Sequence, residues 1–286
     1  MNIYSLHLGN FKLDGGAMFG VVPKSIWQRT NPADANNMCT WALRLMLIED
    51  GKRLILVDTG MGDKQSEKFF SYYYMEGEHS LDKALAEHGF HRDDITDVFL
   101  THMHFDHVGG SVRRRTDNPD LFEATFKNAV YWSNKYHWDW AENPNPREAA
   151  SFLKENFMPI KAAGQLQFLD LPNENGLYET SLPFKVYLVN GHTEAQMLPL
   201  LEYKNEKILY AADLLPSVGH IPLPYVMGYD VRPLLTLKEK AWVLNEAVEQ
   251  KMKVFFEHDS QQEMCSLKAT EKGARLDQIL NLKDIS

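Results

Sequence analysis

Four apolar runs in this 286-residue chain each stop at an imidazole or a carboxylate, and that recurrence constrains the fold more than any single motif. The run 95–100 leads into Thr101, His102, Met103, His104, Phe105, Asp106, His107, Val108, Gly109 and Gly110. The run 184–189 ends at Asn190, Gly191 and His192, the run 207–212 at Asp213, and the run 253–256 at Glu257, His258 and Asp259. Short apolar runs bounded by turn residues read as buried strands. Side chains at the ends of neighbouring strands project into a common space, which is where ligands bind in α/β folds. Imidazole nitrogen and carboxylate oxygen are the donors that zinc and its borderline neighbours take.

Composition narrows the partners. With 39 acidic against 30 basic residues and a formal charge of −9, the chain has no basic footprint for nucleic acid or for an anionic membrane. Hydrophobic residues make up 44%, enough for a large core without staples. The two cysteines, Cys39 and Cys265, form neither a CxxC pair nor a disulfide framework, so both read as reduced, buried thiols. The first residues lack a leader pattern and no stretch has transmembrane length, which predicts a soluble cytoplasmic protein. No repeat or flexible linker divides the chain, and residues 1–286 read as one domain.

Along the chain, 3–57 reads as strand-rich, with runs at 3–8, 17–22, 39–48 and 53–57 and a hairpin turning through Glu49, Asp50, Gly51 and Lys52. Asp58 ends this stretch; a turn-forming carboxylate and a partner orienting a metal-bound histidine weigh equally there. Helices are expected at 81–88, closed by Gly89, at 147–156, and at 236–251 with Thr236 as N-cap and Glu239 three residues on. The aromatic segment 69–75 fits a core element, a lid or a subunit contact, and with Tyr136, Trp138 and Trp140 it suggests a homodimer. His7, His79, His88, His91 and His137 follow no comparable strand end and read as structural or surface residues.

The run His102-x-His104-x-Asp106-His107, followed by His192, Asp213 and His258, resembles the metallo-β-lactamase fold superfamily over essentially the whole chain. That resemblance implies an α/β fold, a four-layer αβ/βα sandwich of two mixed β-sheets with helices outside. It also implies two divalent metal ions, zinc foremost, with iron, cobalt and manganese accepting the same ligands. His102, His104 and His192 would bind the first ion, Asp106, His107 and His258 the second, and Asp213 both. Asp213 replaces the cysteine of many true β-lactamases, which counts against antibiotic hydrolysis. His104 replaces the glutamate of the flavodiiron reductases, which counts against redox chemistry.

Within the superfamily, the stretch 14–20, the Val57-Asp58-Thr59-Gly60 turn and the ending Phe256-Glu257-His258-Asp259 are similar to the quorum-quenching N-acyl-homoserine lactonases and the methyl parathion hydrolase group. One departure is Pro216, where some of these lactonases carry a catalytic tyrosine. Tyr225 or His220 is the expected substitute for polarising the substrate. The resemblance implies a hydroxide bridging the two metals that attacks a lactone or ester, with Asp213 holding the metal spacing and Asp106 passing a proton to the leaving alkoxide. Phe19, Phe105 and the loop 214–229 would wall a pocket for a small, neutral, apolar substrate. Two other readings compete: a phosphotriesterase on the same site, and a metal-loaded binding protein without turnover.

Overall fold

The computed structural model describes residues 1–285, which gather into two compact units. One comprises Met1–Gly9 with Leu43–Pro172, the other Asn10–Ala42 with the chain from Asn173 onward.

In the first unit, Arg53–Val57, Asp97–Phe99, Val130–Asn134 and Leu166–Leu169 lie side by side as parallel strands of a mixed six-stranded sheet. Parallel strands covered on both faces are continuously apolar, and Val57, Val98, Phe99 and Tyr131 are all fully buried. The hairpin forms as the turn residues require: Asp50 pairs with Arg53, leaving Gly51 and Lys52 as a two-residue loop with Gly51 at φ 61°. Because the central strands are parallel, Asp58 and the segment 101–107 leave the sheet at the same end, the carboxyl end.

In the second unit, Lys185–Val189 pairs antiparallel with Gln196–Tyr203, which pairs antiparallel with Glu206–Tyr210, which in turn runs parallel to Lys253–Phe255. Three of these four strands therefore point the same way. His192, Asp213 and His258 follow their carboxyl ends. The helix Pro233–Glu249 buries Thr236, Glu239, Lys240, Val243, Leu244 and Ala247, the i, i+3, i+4, i+7 stripe of a helix packed on a sheet.

Three local expectations are corrected. Residues 17–22 are not a strand: Asp14 Oδ1 accepts from Ala17 N at 2.8 Å and starts the short helix Gly15–Phe19, so a cap overrides the apolar pattern. No α-helix fills 147–156, which turns and then forms only the 3₁₀ stretch Lys154–Asn156; Glu148 is drawn inward, accepting from Trp140 Nε1 at 2.7 Å and Asn145 Nδ2 at 2.6 Å. The long helix begins at Pro233 rather than at Thr236, because proline suits the first turn and Glu239 is engaged elsewhere. The helix Leu81–Glu87 forms as expected, capped by Ser80. Among the described residues no helix is long and apolar enough to cross a membrane. Cys39 and Cys265 are free and buried.

Candidate metal centre

All seven expected ligands are buried, each less than a tenth exposed. His102, His104, Asp106 and His107 are brought together in the first unit; His192, Asp213 and His258 in the second.

The first set is built around Asp58, which is fully buried and sits in left-handed backbone at φ 58°. Its amide donates to Phe99 O at 2.9 Å, and its carboxylate accepts from Thr101 N at 2.8 Å and Thr101 Oγ1 at 2.6 Å. The Thr101 hydroxyl thus spends its only proton on Asp58, so the contact of 3.1 Å between Thr101 Oγ1 and His102 Nδ1 requires the imidazole to donate. His107 Nδ1 likewise faces Asp58 Oδ2 at 3.2 Å. The network places the protons of both rings on Nδ1 and leaves Nε2 as the donor atom for a cation. His104 is turned the other way. Its Nε2 lies 3.4 Å from Glu148 Oε1, and its Nδ1 faces His102 Nε2 at 3.1 Å. The neighbouring turn is fixed by His137, whose Nε2 accepts from Met103 N at 2.8 Å.

Two imidazole lone pairs aimed at each other across 3.1 Å fit a shared cation. Ligands 2.0–2.1 Å from one tetrahedral zinc sit about 3.3–3.4 Å apart. Asp106 and His107 lie on the short helix Phe105–Val108, with Asp106 Oδ2 3.9 Å from His107 Nε2. Phe105 packs against Tyr73 at 4.8 Å and Phe69 at 5.5 Å, so part of the segment 69–75 is built into this unit, while Tyr72 and Tyr74 are exposed. Burial, then the Asp106 charge, pushes the Tyr73 phenol up to about 12.

In the second unit Asp213 is flanked on both oxygens. Its Oδ2 lies 3.2 Å from His192 Nε2 and its Oδ1 3.1 Å from His258 Nε2. The outer nitrogens are again held: His192 Nδ1 by Asp230 Oδ1 at 3.0 Å, His258 Nδ1 by the Ala42 carbonyl at 2.9 Å. His192 is positioned by its neighbours along the chain. Glu239 takes the amides of Asn190 at 2.6 Å and Gly191 at 2.9 Å, and a Cβ on Gly191 would stand 2.4 Å from Thr236 Oγ1. Burial disfavours the imidazolium at His192, yet the carboxylates of Asp213 and Asp230 outweigh it and raise the group to about 10. Positive charge is what this donor set is built to receive, and the residues fit a divalent cation.

His220 and Phe19 are both buried in the second unit, and His220 feels the charges of Asp213 and His258. His220 Nε2 donates to Met18 O at 2.9 Å and its Nδ1 faces Ser217 Oγ at 2.8 Å, while its ring stacks on Phe19 at 4.3 Å. Phe19 in turn stacks on Trp27 at 5.3 Å, and burial depresses His220 to about 3. Both are part of an aromatic core. Tyr225 is half-buried, its ring edge-on to Phe19 at 6.5 Å.

Residues 45–258 match the metallo-beta-lactamase superfamily. The chain belongs to this superfamily. Among metallo-β-lactamase-fold structures, a probable metal-dependent hydrolase from Staphylococcus aureus is 26% identical, with 98% of each chain covered and a TM-score of 0.84. The dizinc quorum-quenching lactonase AidC, in complex with a product, superimposes at a TM-score of 0.76 with 24% identity over 98% of this chain and 95% of its own. The N-acyl homoserine lactonase AiiA of Bacillus thuringiensis is 23% identical over 252 residues, 84% of this chain and 88% of its own. The lactamase-like protein adaB of Aspergillus niger is 31% identical over 139 residues, 46% of this chain, and the match spans 36% of adaB.

Glu148 and Asp230 are the residues that sequence reasoning missed, and Glu239, expected to cap its own helix, instead takes the amides of Asn190 and Gly191. No local signal marks these roles, since His104, His192 and the Asn190–Gly191 turn are distant in the chain.

Proposed function

We infer that the chain is a dinuclear metal-dependent hydrolase of lactones, acting as a single domain. The observation that carries the reading is Asp213, whose two oxygens each stand against a different imidazole, at 3.2 and 3.1 Å. A carboxylate so divided suits two cations better than one. His102, His104 and His192 would hold one ion, Asp106, His107 and His258 the other, and Asp213 both, with zinc the foremost candidate. The dizinc lactonase AidC and the lactonase AiiA support the substrate class.

Bound cations supply Lewis acidity and a nucleophile at neutral pH. The chain's own residues do the rest. Asp58, Asp230 and the Ala42 carbonyl fix the tautomers of His107, His192 and His258 and keep the rings from turning. Asp106 would take the proton given up by the attacking water and return it to the alkoxide oxygen of the opened lactone. Pro216 has no hydroxyl to offer, so the Tyr225 phenol polarises the lactone carbonyl, while the locked nitrogens of His220 give it a supporting role. Phe105, backed by Tyr73, offers an apolar wall to a neutral acyl chain. Two free thiols fit the reducing cytoplasm.

The test is metal analysis of purified protein together with rates on N-acyl-homoserine lactones of graded chain length, aryl esters and phosphotriesters. Two metals per chain and preferred lactone turnover are expected. Full turnover in metal-free protein overturns the mechanism. Preference for a phosphotriester moves the assignment to that class, and saturable lactone binding without product moves it to a binding protein.

A further inference from the structure

The loop that carries Tyr225 has no regular secondary structure across 222–230, and its own amides supply only short turn bonds, Tyr225 N to Pro222 O at 2.9 Å, Val226 N to Pro224 O at 3.1 Å and Asp230 N to Met227 O at 3.3 Å. One side chain from outside the loop adds to these. Lys240, on the buried stripe of helix Pro233–Glu249 and 1% exposed, directs Nζ at Pro222 O at 2.9 Å, Tyr225 O at 2.9 Å and Leu223 O at 3.4 Å. An ammonium has three protons, and here the three acceptors all belong to a four-residue span of one loop. A lysine withdrawn from water is costly unless such partners are present, and an apolar side chain would fill the same helical position without that cost.

The far end of the loop is held separately. Met227 N donates to Asp230 Oδ2 at 3.1 Å, and Gly228 N donates to Ala17 O at 2.8 Å. Asp230 meanwhile holds His192 through its other oxygen. The backbone on either side of the Tyr225 side chain is therefore pinned, by Lys240 before it and by Asp230 and Ala17 after it. Tyr225 itself makes an edge contact with Phe19.

We propose that Lys240 is a positioning residue that latches the loop 222–225 through three backbone carbonyls and so sets where the Tyr225 side chain is presented to substrate. The kinetic half of this proposal rests on the lactonase reading. The conformational half does not.

The experiment compares the full-length, metal-loaded wild type with K240M, K240R, Y225A and the K240M/Y225A double variant. Hydrogen exchange of the Leu223, Tyr225, Val226 and Met227 amides is followed alongside lactone kinetics. In K240M these amides are expected to lose protection by about tenfold, while amides of the strand Lys253–Phe255 keep theirs. K240R, which retains donors for the carbonyls, is expected to keep most of the protection, and it serves as the folded reference should K240M not fold. For a long-chain lactone, kcat is expected to fall about fivefold or more in K240M with KM changed less than twofold. The double variant is expected to be no worse than Y225A. Unchanged loop protection in K240M, or a loss equal to that of Lys253–Phe255, overturns the latch. A looser loop with unchanged kcat, or additive losses in the double variant, overturns the link to Tyr225. A wild type inactive on every lactone refutes the lactonase reading, and the exchange data then decide the latch alone.

Discussion

Asp230 Oδ1 lies 3.0 Å from His192 Nδ1, and the opposite nitrogen of the same ring lies 3.2 Å from Asp213 Oδ2. One imidazole is thus strung between a carboxylate that orients it and a carboxylate that shares its proposed cation. Carboxylate support of this kind sets the tautomer and raises ligand basicity. Replacing Asp230 by Asn is expected to weaken metal affinity by about 10- to 100-fold, as measured by competition with a chelator, with little change in the circular dichroism spectrum.

Removal of a ligand goes further than removal of its support. D213A and H104A are each expected to bind fewer than two metals per chain by elemental analysis and to lose more than about 100-fold in lactone turnover. A D213A protein that keeps two tightly bound metals would remove Asp213 from its bridging role.

Asp58 accepts from Thr101 N, Thr101 Oγ1 and His107 in a fully buried site. D58A would leave these donors without an acceptor and is expected to cost about 2–5 kcal/mol in urea unfolding of the metal-free protein. D58N tolerates the same left-handed backbone and keeps one acceptor oxygen, so its loss should be smaller. Equal losses in both variants would show that the carboxylate charge, rather than the acceptor geometry, stabilises this turn.

Lys64 is buried beside Gly109 O, and burial lowers its pKa to about 8, with Glu155 and Asp63 opposing and Arg114 adding to the shift. The unfolded chain, with an ordinary lysine near 10.5, binds more protons above pH 8. The cost of burying this charge is therefore fully present below pH 8 and is relieved as the pH rises towards 10.5. Urea midpoints across that window should climb less steeply in K64M than in wild type. Parallel curves would show that Lys64 keeps its proton in the fold.

The ligand set was legible because its chemistry is strictly local: His102 to His107 lie in six consecutive positions, and His192, Asp213 and His258 each follow an apolar run. Asp58 was half legible, since it too ends a strand, and its contact with His107 Nδ1 at 3.2 Å fits the reading in which it orients that imidazole. Glu148 and Asp230 were invisible because their partners are distant in sequence and only the folded backbone brings them near. The run 17–22 was misread because the Asp14 cap outweighs an apolar pattern too short to impose its own period. The 147–156 segment failed as a helix because Glu148 is engaged by Trp140 and Asn145.

The two ligand sets also differ in how they come into being. His192, Asp213 and His258 are neighbours only once three separate strands have paired, so the denatured chain holds them apart. The hexapeptide His102–His107 keeps its four donor side chains within a few bonds of one another even without a fold. A cation held by the proposed site and released on unfolding would thus be partly recaptured by the unfolded chain, and that residual affinity would subtract from the linkage between metal binding and stability. The thermal midpoint of the metal-loaded protein will consequently rise less steeply with free metal than its native-state affinity alone would dictate.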